Sequence, residues 1–320
     1  MATVDALSSA YEACTRGCAL VDRSELGKLL LLGEEAAAFL DGQISNDIVT
    51  LEAGHGRYAT LLTTKGRMLG DLRVIRADQD PPGLLLLTER VALQALFDQL
   101  RRGLIGWKVA LEKRTLQLGL LSLVGPQAEP VARAAGLPIP GPEEHDVAGD
   151  VVRTDTGLDV LPAADATDAI RRALLDAGAV EVPDAAAEIV RVEHGRPRYG
   201  TDLDETVMPE EAGIVGRAVS FTKGCYVGQE TVARLHWKGK PNRHLRGLTL
   251  DAAVTPGDAV LAGDRELGRV GSAVVSPRLG PIALAILRRE VAPGDRVAVG
   301  PDAVAAEVVE PPFRAAGDGA

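Results

Sequence analysis

From Pro241 onward the chain changes texture. HLRGLTL, AVLA, LGRVGSAVVS, IALAILRR, RVAVG and AAEVVE are short, apolar-rich runs separated by glycine, proline or aspartate. Segments this short and this regularly interrupted predict an all-β module, a small barrel beginning near residue 244. Such a module can serve as a lid, a docking surface or a stabilising third domain. No internal repeat is visible.

Upstream, the periodicity mixes. Residues 5–16 predict a helix that Gly17 stops, and GKLLLLG at 27–33 reads as a buried strand. Glu34 and Glu35 suit the positive end of a helix running through Leu40. Residues 57–62 and 68–75 read as strands around TTKG at 63–66, with a further strand at 84–88. In ERVALQALFDQLRR the spacing of Leu93, Leu96, Phe97 and Leu100 predicts a helix with that stripe in the core. Residues 116–124 resume strand character, and Gly125-Pro126 starts a short helix. Residues 136–149, rich in glycine, proline and acids, read as an exposed connection; 167–177 and Asp184–Glu193 read as helices. The expected class is α+β, without a regular βαβ series. No glycine fingerprint follows a first strand, which argues against a dinucleotide or P-loop fold.

At 320 residues the chain exceeds one ordinary core, so two or three domains are expected. The balance of 46% hydrophobic and 25% charged residues is that of a soluble globular protein. Its 35 basic and 45 acidic side chains give a formal charge of −10, which argues against a nucleic-acid coat and a polybasic membrane protein. The opening residues lack a basic leader followed by an apolar run, and no apolar run is long enough for a membrane helix. Cys14, Cys18 and Cys225 are too few for a disulfide scaffold. With five scattered histidines they make no four-ligand pattern, so no metal is expected and a reducing cytoplasm is favoured. Cys14 and Cys18 read as buried helix cysteines.

Three clusters carry chemistry. In RVEHGRPRYGTDLDETVMPEEAG, 191–213, Glu193 ends a helix pattern beside Gly195, where its carboxylate can accept paired hydrogen bonds from a ligand; a solvated charged loop accounts equally for the rest. In LTTKGRMLGDLRV, 62–74, strand alternation turns Asp71 toward solvent, and a general-base role requires a proton within reach and a suitable pKa. Between Lys223 and Arg246, six basic residues (Lys223, Arg234, Lys238, Lys240, Arg243 and Arg246) face a single acid, Glu230, which fits either a polyanion or a salt-bridged face. Trp237 can stack on a flat ligand or pack between domains. Within KGCYVGQE, 223–230, a helix starting at the cysteine would place Cys225 at an amide-rich end beside Lys223, favouring thiolate. Gln229 would return to the same side, and Glu230 would pair with Arg234. The residues alone leave both a reactive thiol and a small buried filler open.

KGCYVGQE closely resembles the signature of the YgfZ family of folate-binding, iron–sulfur-maintenance proteins. RVEHGRPRYGTDLDETVMPEEAG and NDIVTLEAGHGRYATLLTTKGRMLGDLRV resemble the broader family of the glycine-cleavage aminomethyltransferase, and the likeness covers nearly the whole chain. It implies a three-domain ring or cloverleaf around a tetrahydrofolate site, with the first two domains interwoven. The division would be 1–30 with 116–180, 31–115 with 181–243, and a barrel at 244–320. The acid that engages the pterin edge matches Glu193. Met68 through Asp71 would line the same cavity, and Tyr199 would contact the flat ring. Arg234, Lys238 and Lys240 are assigned to the ligand's acidic tail on their charge. Aminomethyltransferases carry two adjacent acids where this chain has Gly70 and Asp71, which puts orthodox glycine cleavage in question. The resemblance implies a tetrahydrofolate-binding accessory to iron–sulfur enzymes or their assembly machinery, active in repair or oxidative stress. Cys225 would be its functional thiol, and no nucleic-acid or membrane partner is implied. The alternatives are a one-carbon transferase, with Asp71 as catalytic acid, and a folate-independent adaptor.

Overall fold

The computed structural model describes residues 4–76 and 83–314; 315–320, the end of the expected barrel segment, lie outside the described residues. Two compact units form. One takes the chain up to Lys65, Leu69–Ala187 and Arg217–Gln229; the other takes Gly66–Met68, Glu188–Gly216 and the chain from Glu230.

The first unit holds two sheets. In the six-stranded sheet the order is Val180–Glu181, Ala19–Asp22, Leu121–Val124, Gly157–Val160, Val151–Thr154 and Val147–Ala148. Only the pair Ala19–Asp22 and Val180–Glu181 is parallel; the other pairings in this sheet are antiparallel. Leu20, Leu121, Leu123 and Leu158 fill one face against the helices Ala128–Ala134 and Thr167–Asp176. The five-stranded sheet runs His55–Leu62, Met68–Arg76, Gly83–Thr88, Gly27–Leu32 and Ala110–Lys113. Its helix, Leu93–Gly103, buries Leu93, Leu96 and Leu100, the stripe its spacing predicts, while Phe97 is half-buried.

Sequence expectations miss at two places here. The strand expected over 116–124 begins only at Leu121; Leu116 is 83% exposed, and Leu118 makes an isolated bridge to Ala163. The segment 136–149 is not simply an exposed connection, because His145 and Asp146 are buried. Asp146 accepts hydrogen bonds from the Glu143 amide (2.9 Å) and pairs with His55 (2.9 Å), which gives a buried carboxylate the partners it needs.

The second unit is built on a closed six-stranded barrel. Its strands circle as Arg243–Leu250, Gly280–Arg288, Arg265–Ser276, Ala259–Ala262, Arg296–Val299 and Val304–Val309, the last pairing with the first. The strand Gly280–Arg288 shows why its sequence, IALAIL, is apolar at every position. Ala283, Ala285 and Leu287 point into the barrel, while Ile282 and Leu284 pack outside against Val192, Leu245 and Phe313. Gly195 follows the helix Asp184–Glu193 with φ +65°, and a Cβ there would strike Pro311. A second tie lies at Arg191. Its guanidinium meets Glu188 (2.9 Å), Asp202 (2.9 Å) and the Ser272 hydroxyl, and the Ser272 amide donates to Asp202 (2.8 Å).

No described helix is long and apolar enough to cross a membrane.

Candidate functional site

Asp71 lies on the strand Met68–Arg76, whose alternation buries Met68, Gly70, Leu72 and Val74. The expectation of a solvent-facing Asp71 is corrected: it is half-buried, and the Tyr58 hydroxyl donates to its Oδ2 at 2.6 Å. Burial pushes this carboxyl above the usual carboxylate range, opposed by the Tyr58 hydrogen bond. The Arg217 guanidinium stands 5.3 Å from the Tyr58 ring centroid and pairs with Glu144. An acid with a raised pKa beside a phenol is suited to holding or passing a proton. On the neighbouring position a side chain is excluded: a Cβ at Gly70 would lie 2.5 Å from Leu96 Cδ1 and 2.9 Å from Ala92 Cβ. One strand step away, Arg73 pairs with Asp159, which also accepts from the Ser122 hydroxyl at 2.5 Å. Burial and the nearby Arg73 push the buried His145 down to about 4, so it stays neutral across the physiological range.

Glu193 lies in the second unit at the C-terminal end of Asp184–Glu193 and is 3% exposed. The Ser276 hydroxyl donates to its Oε1, and Arg278 stands 3.6 Å from its Oε2. Its main-chain carbonyl accepts from Phe313 (2.8 Å). The carboxylate is thus pinned by a turn of the barrel. A carboxylate is the acceptor chemistry that the N–H edge of a reduced pterin requires, and here the Ser276 hydroxyl and Arg278 stand beside it. Tyr199 is half-buried and bridges to Leu203, while Met68 is fully buried, with its amide bonded to the Val207 carbonyl (2.9 Å).

The segment 223–230 departs from expectation. Its helix is Gln229–Lys238, four residues beyond Cys225, because Gly228 takes φ +86°, outside the helical region. Cys225 is therefore not at an amide-rich helix end; it is exposed on the preceding loop. Nor does Lys223 serve the thiol. Its ammonium is buried and donates to the carbonyls of Asp41, Ile44 (3.0 Å) and Asn46 (3.0 Å), with the Asp41 carboxylate at 3.2 Å. Burial pulls its pKa down, and Asp41 opposes this. Tyr226 packs inward with Lys223 Nζ 5.2 Å from its ring centroid; burial of its unpartnered hydroxyl pushes it up to about 12. Lys223 and Tyr226 are two anchors, with the thiol held outside between them.

Arg234, Lys238 and Lys240 are all exposed on the same helix or just past it. The expected Glu230–Arg234 pair does not form among the described residues. Trp237, expected to pack between domains or stack on a ligand, is 69% exposed and meets the His236 ring edge-on at 4.7 Å. Sequence reasoning passed over Tyr58, Arg217, Ser276 and the carbonyl cage of Lys223. Only Tyr58 left a signal. It stands five residues before Thr63, and Asp71 stands five after Gly66, so a hairpin centred on 63–66 sets them opposite each other.

The chain has relatives among known proteins. Residues 2–139 match the model of the GCVT N-terminal domain, and 243–314 match that of the glycine cleavage T-protein C-terminal barrel domain. An aminomethyltransferase of Exiguobacterium sibiricum is 31% identical over 313 residues, covering 92% of this chain and 85% of that protein. One of Mycobacterium leprae is 29% identical over 327 residues, covering 95% and 88%. In fold, the crystal structure of glycine cleavage system aminomethyltransferase T from Bartonella henselae superposes with a TM-score of 0.88 at 23% identity, over 96% of this chain and 89% of that one. A barrel with the same sequence bounds and a relative aligned almost end to end lead to one conclusion: the chain belongs to the glycine-cleavage aminomethyltransferase family.

Proposed function

We propose that this protein binds a reduced folate, with Glu193 accepting the N–H donors of the pterin edge, and that it acts as an aminomethyltransferase-like one-carbon transferase. The names of its relatives favour this reading over the accessory role for iron–sulfur enzymes. The observation that carries it is the Tyr58–Asp71 pair: a half-buried carboxyl of raised pKa, held by a phenol at 2.6 Å, is suited to a proton step. Bound folate would supply the one-carbon chemistry. Asp71 would hold or release the proton, and Glu193 would orient the ring.

A second reading rests on Cys225. Aminomethyl transfer needs no protein thiol, yet this one is exposed on a loop fixed by Lys223 and Tyr226. That placement favours contact with a partner and fits a folate-binding accessory to iron–sulfur enzymes.

Anaerobic calorimetric titration with tetrahydrofolate tests the shared part. Removing the charged acceptor in Glu193→Gln is expected to weaken binding about tenfold or more, since hydrogen bonds to charged groups contribute about 1.5–3 kcal/mol. Equal affinity in both proteins would sink the assignment. Asp71→Asn should keep the affinity within about threefold yet abolish turnover of an aminomethyl donor, as expected of a group acting only in the chemical step. Wild-type protein that binds folate without turnover, together with a Cys225→Ala variant failing to restore an iron–sulfur enzyme, would move the conclusion to the second reading.

A further inference from the structure

In the second unit a cavity of about 580 Å³ is bordered by Arg67, Arg243, Arg288 and Arg289, with Glu211 and Glu290 as its acids. Four cations against two anions is an inversion in a chain of formal charge −10. The acids neutralise less than their number implies. Glu290 pairs outside the lining with Arg265 at 2.5 Å, and the Glu211 carboxylate accepts from Arg243, at 2.8 and 3.1 Å, and from the Met208 amide at 3.1 Å.

The cations are also crowded together. Arg243 donates to the Thr206 carbonyl at 2.6 Å, and Arg67 donates to that same oxygen, so two guanidinium groups converge on one neutral acceptor. Arg288 is the direct cross-strand partner of Arg243 in the antiparallel pairing of Arg243–Leu250 with Gly280–Arg288. Like charges directly opposite on one sheet face repel. Next to it, the Arg289 amide bonds to the Asn242 carbonyl (2.9 Å), fixing its backbone beside the same strand end. Among the described residues, neither Arg288 nor Arg289 has a side-chain hydrogen bond or ion pair. A pair of like charges opposite each other in the lining of a cavity, with two further guanidinium groups in the same lining, is what a bound anion would relieve.

We propose that this cavity binds a small dianion whose two charged groups, phosphates or carboxylates, bridge Arg243 and Arg288 with Arg289 closing over them. The planar guanidinium fork matches either group bidentately, and a volume of about 580 Å³ suits a small molecule. The inference does not rest on folate binding, because neither Glu193 nor Asp71 lines the cavity.

Titration calorimetry on the full chain, with inorganic pyrophosphate in one arm and glutarate in the other, tests it. Wild type should bind at least one of them, and more weakly as salt rises. Tighter binding of pyrophosphate assigns the site to phosphates, and tighter binding of glutarate assigns it to carboxylates. The R288Q/R289Q double variant should lose at least tenfold in affinity, while R102Q, on the exposed face of a helix in the other unit, should bind as wild type does. Without anion, the double variant should melt no lower than wild type, since a repulsion has been removed; saturating anion should raise the melting temperature of wild type only. R288Q alone provides the same reading if the double variant folds poorly. Absence of binding in both arms, or wild-type affinity in R288Q/R289Q and R288Q, would overturn the proposal.

Discussion

At Asp71 two opposing influences can be separated by measurement. Its folded-state pKa is raised, so the acid form is favoured by folding. The corresponding stability is fully present below the unfolded-state pKa and is lost as pH rises through the folded value. Once pH has risen through the folded value the charged carboxylate is therefore a burden on the fold, and Asp71→Asn should raise the urea midpoint there. Below the unfolded-state pKa, about 4 for aspartate, the two proteins should converge. A variant more stable yet inactive is the signature of a residue kept for chemistry; a lower midpoint above the folded value would instead mark Asp71 as structural. The pairing with Tyr58 could be read from distances to the turn. The cage around Lys223 could not, because its acceptors are main-chain carbonyls at Asp41, Ile44 and Asn46, and carbonyls carry no residue identity.

Among the elements, the strand Met68–Arg76 and the helix Leu93–Gly103 approach so closely that Gly70 admits no side chain. That no acid stands beside Asp71 at position 70 thus has a packing reason: a side chain there would require the helix to withdraw. Gly70→Ala should cost about 1–3 kcal/mol by overpacking, measured by urea unfolding. In combination with Leu96→Ala the penalty should shrink, a non-additivity of about 0.5–3 kcal/mol that marks direct contact. Strict additivity would show the crowding to be absorbed elsewhere. Helix positions were legible where an apolar stripe repeats, as in Leu93, Leu96 and Leu100. The helix start at Gln229 was not: a glycine can belong to a helix or take positive φ, and only tertiary context made Gly228 do the latter.

For the molecule as a whole, legibility follows sequence distance. The barrel was visible because its strands are consecutive and mostly joined by short turns, so local signals suffice. The six-stranded sheet draws together strands from Ala19 to Glu181, and nothing local announces that order. Each unit carries its own buried clusters, which makes damage to one separable from the other. Arg191→Met removes the cation paired with the buried Asp202, a loss of about 3–5 kcal/mol, while the half-buried Glu188 keeps Arg198 at 2.9 Å. Scanning calorimetry should show one component of the heat absorption moving down by several degrees while the rest stays in place; a uniform shift of the whole profile would mean that the two units melt together.

The loop that carries Cys225 has a practical corollary. Cys14 and Cys18 are buried, and burial pushes both thiols up to about 11, so neither offers sulfur anion to a reagent at mild pH. Iodoacetamide applied briefly to the native protein at pH 8 should add a single carbamidomethyl group per chain, on the peptide containing Cys225, with all three modified only after unfolding. Fluorophores or spin probes could then be grafted at that one position without genetic removal of the others, turning the surface sulfur into a reporter of whatever docks beside it.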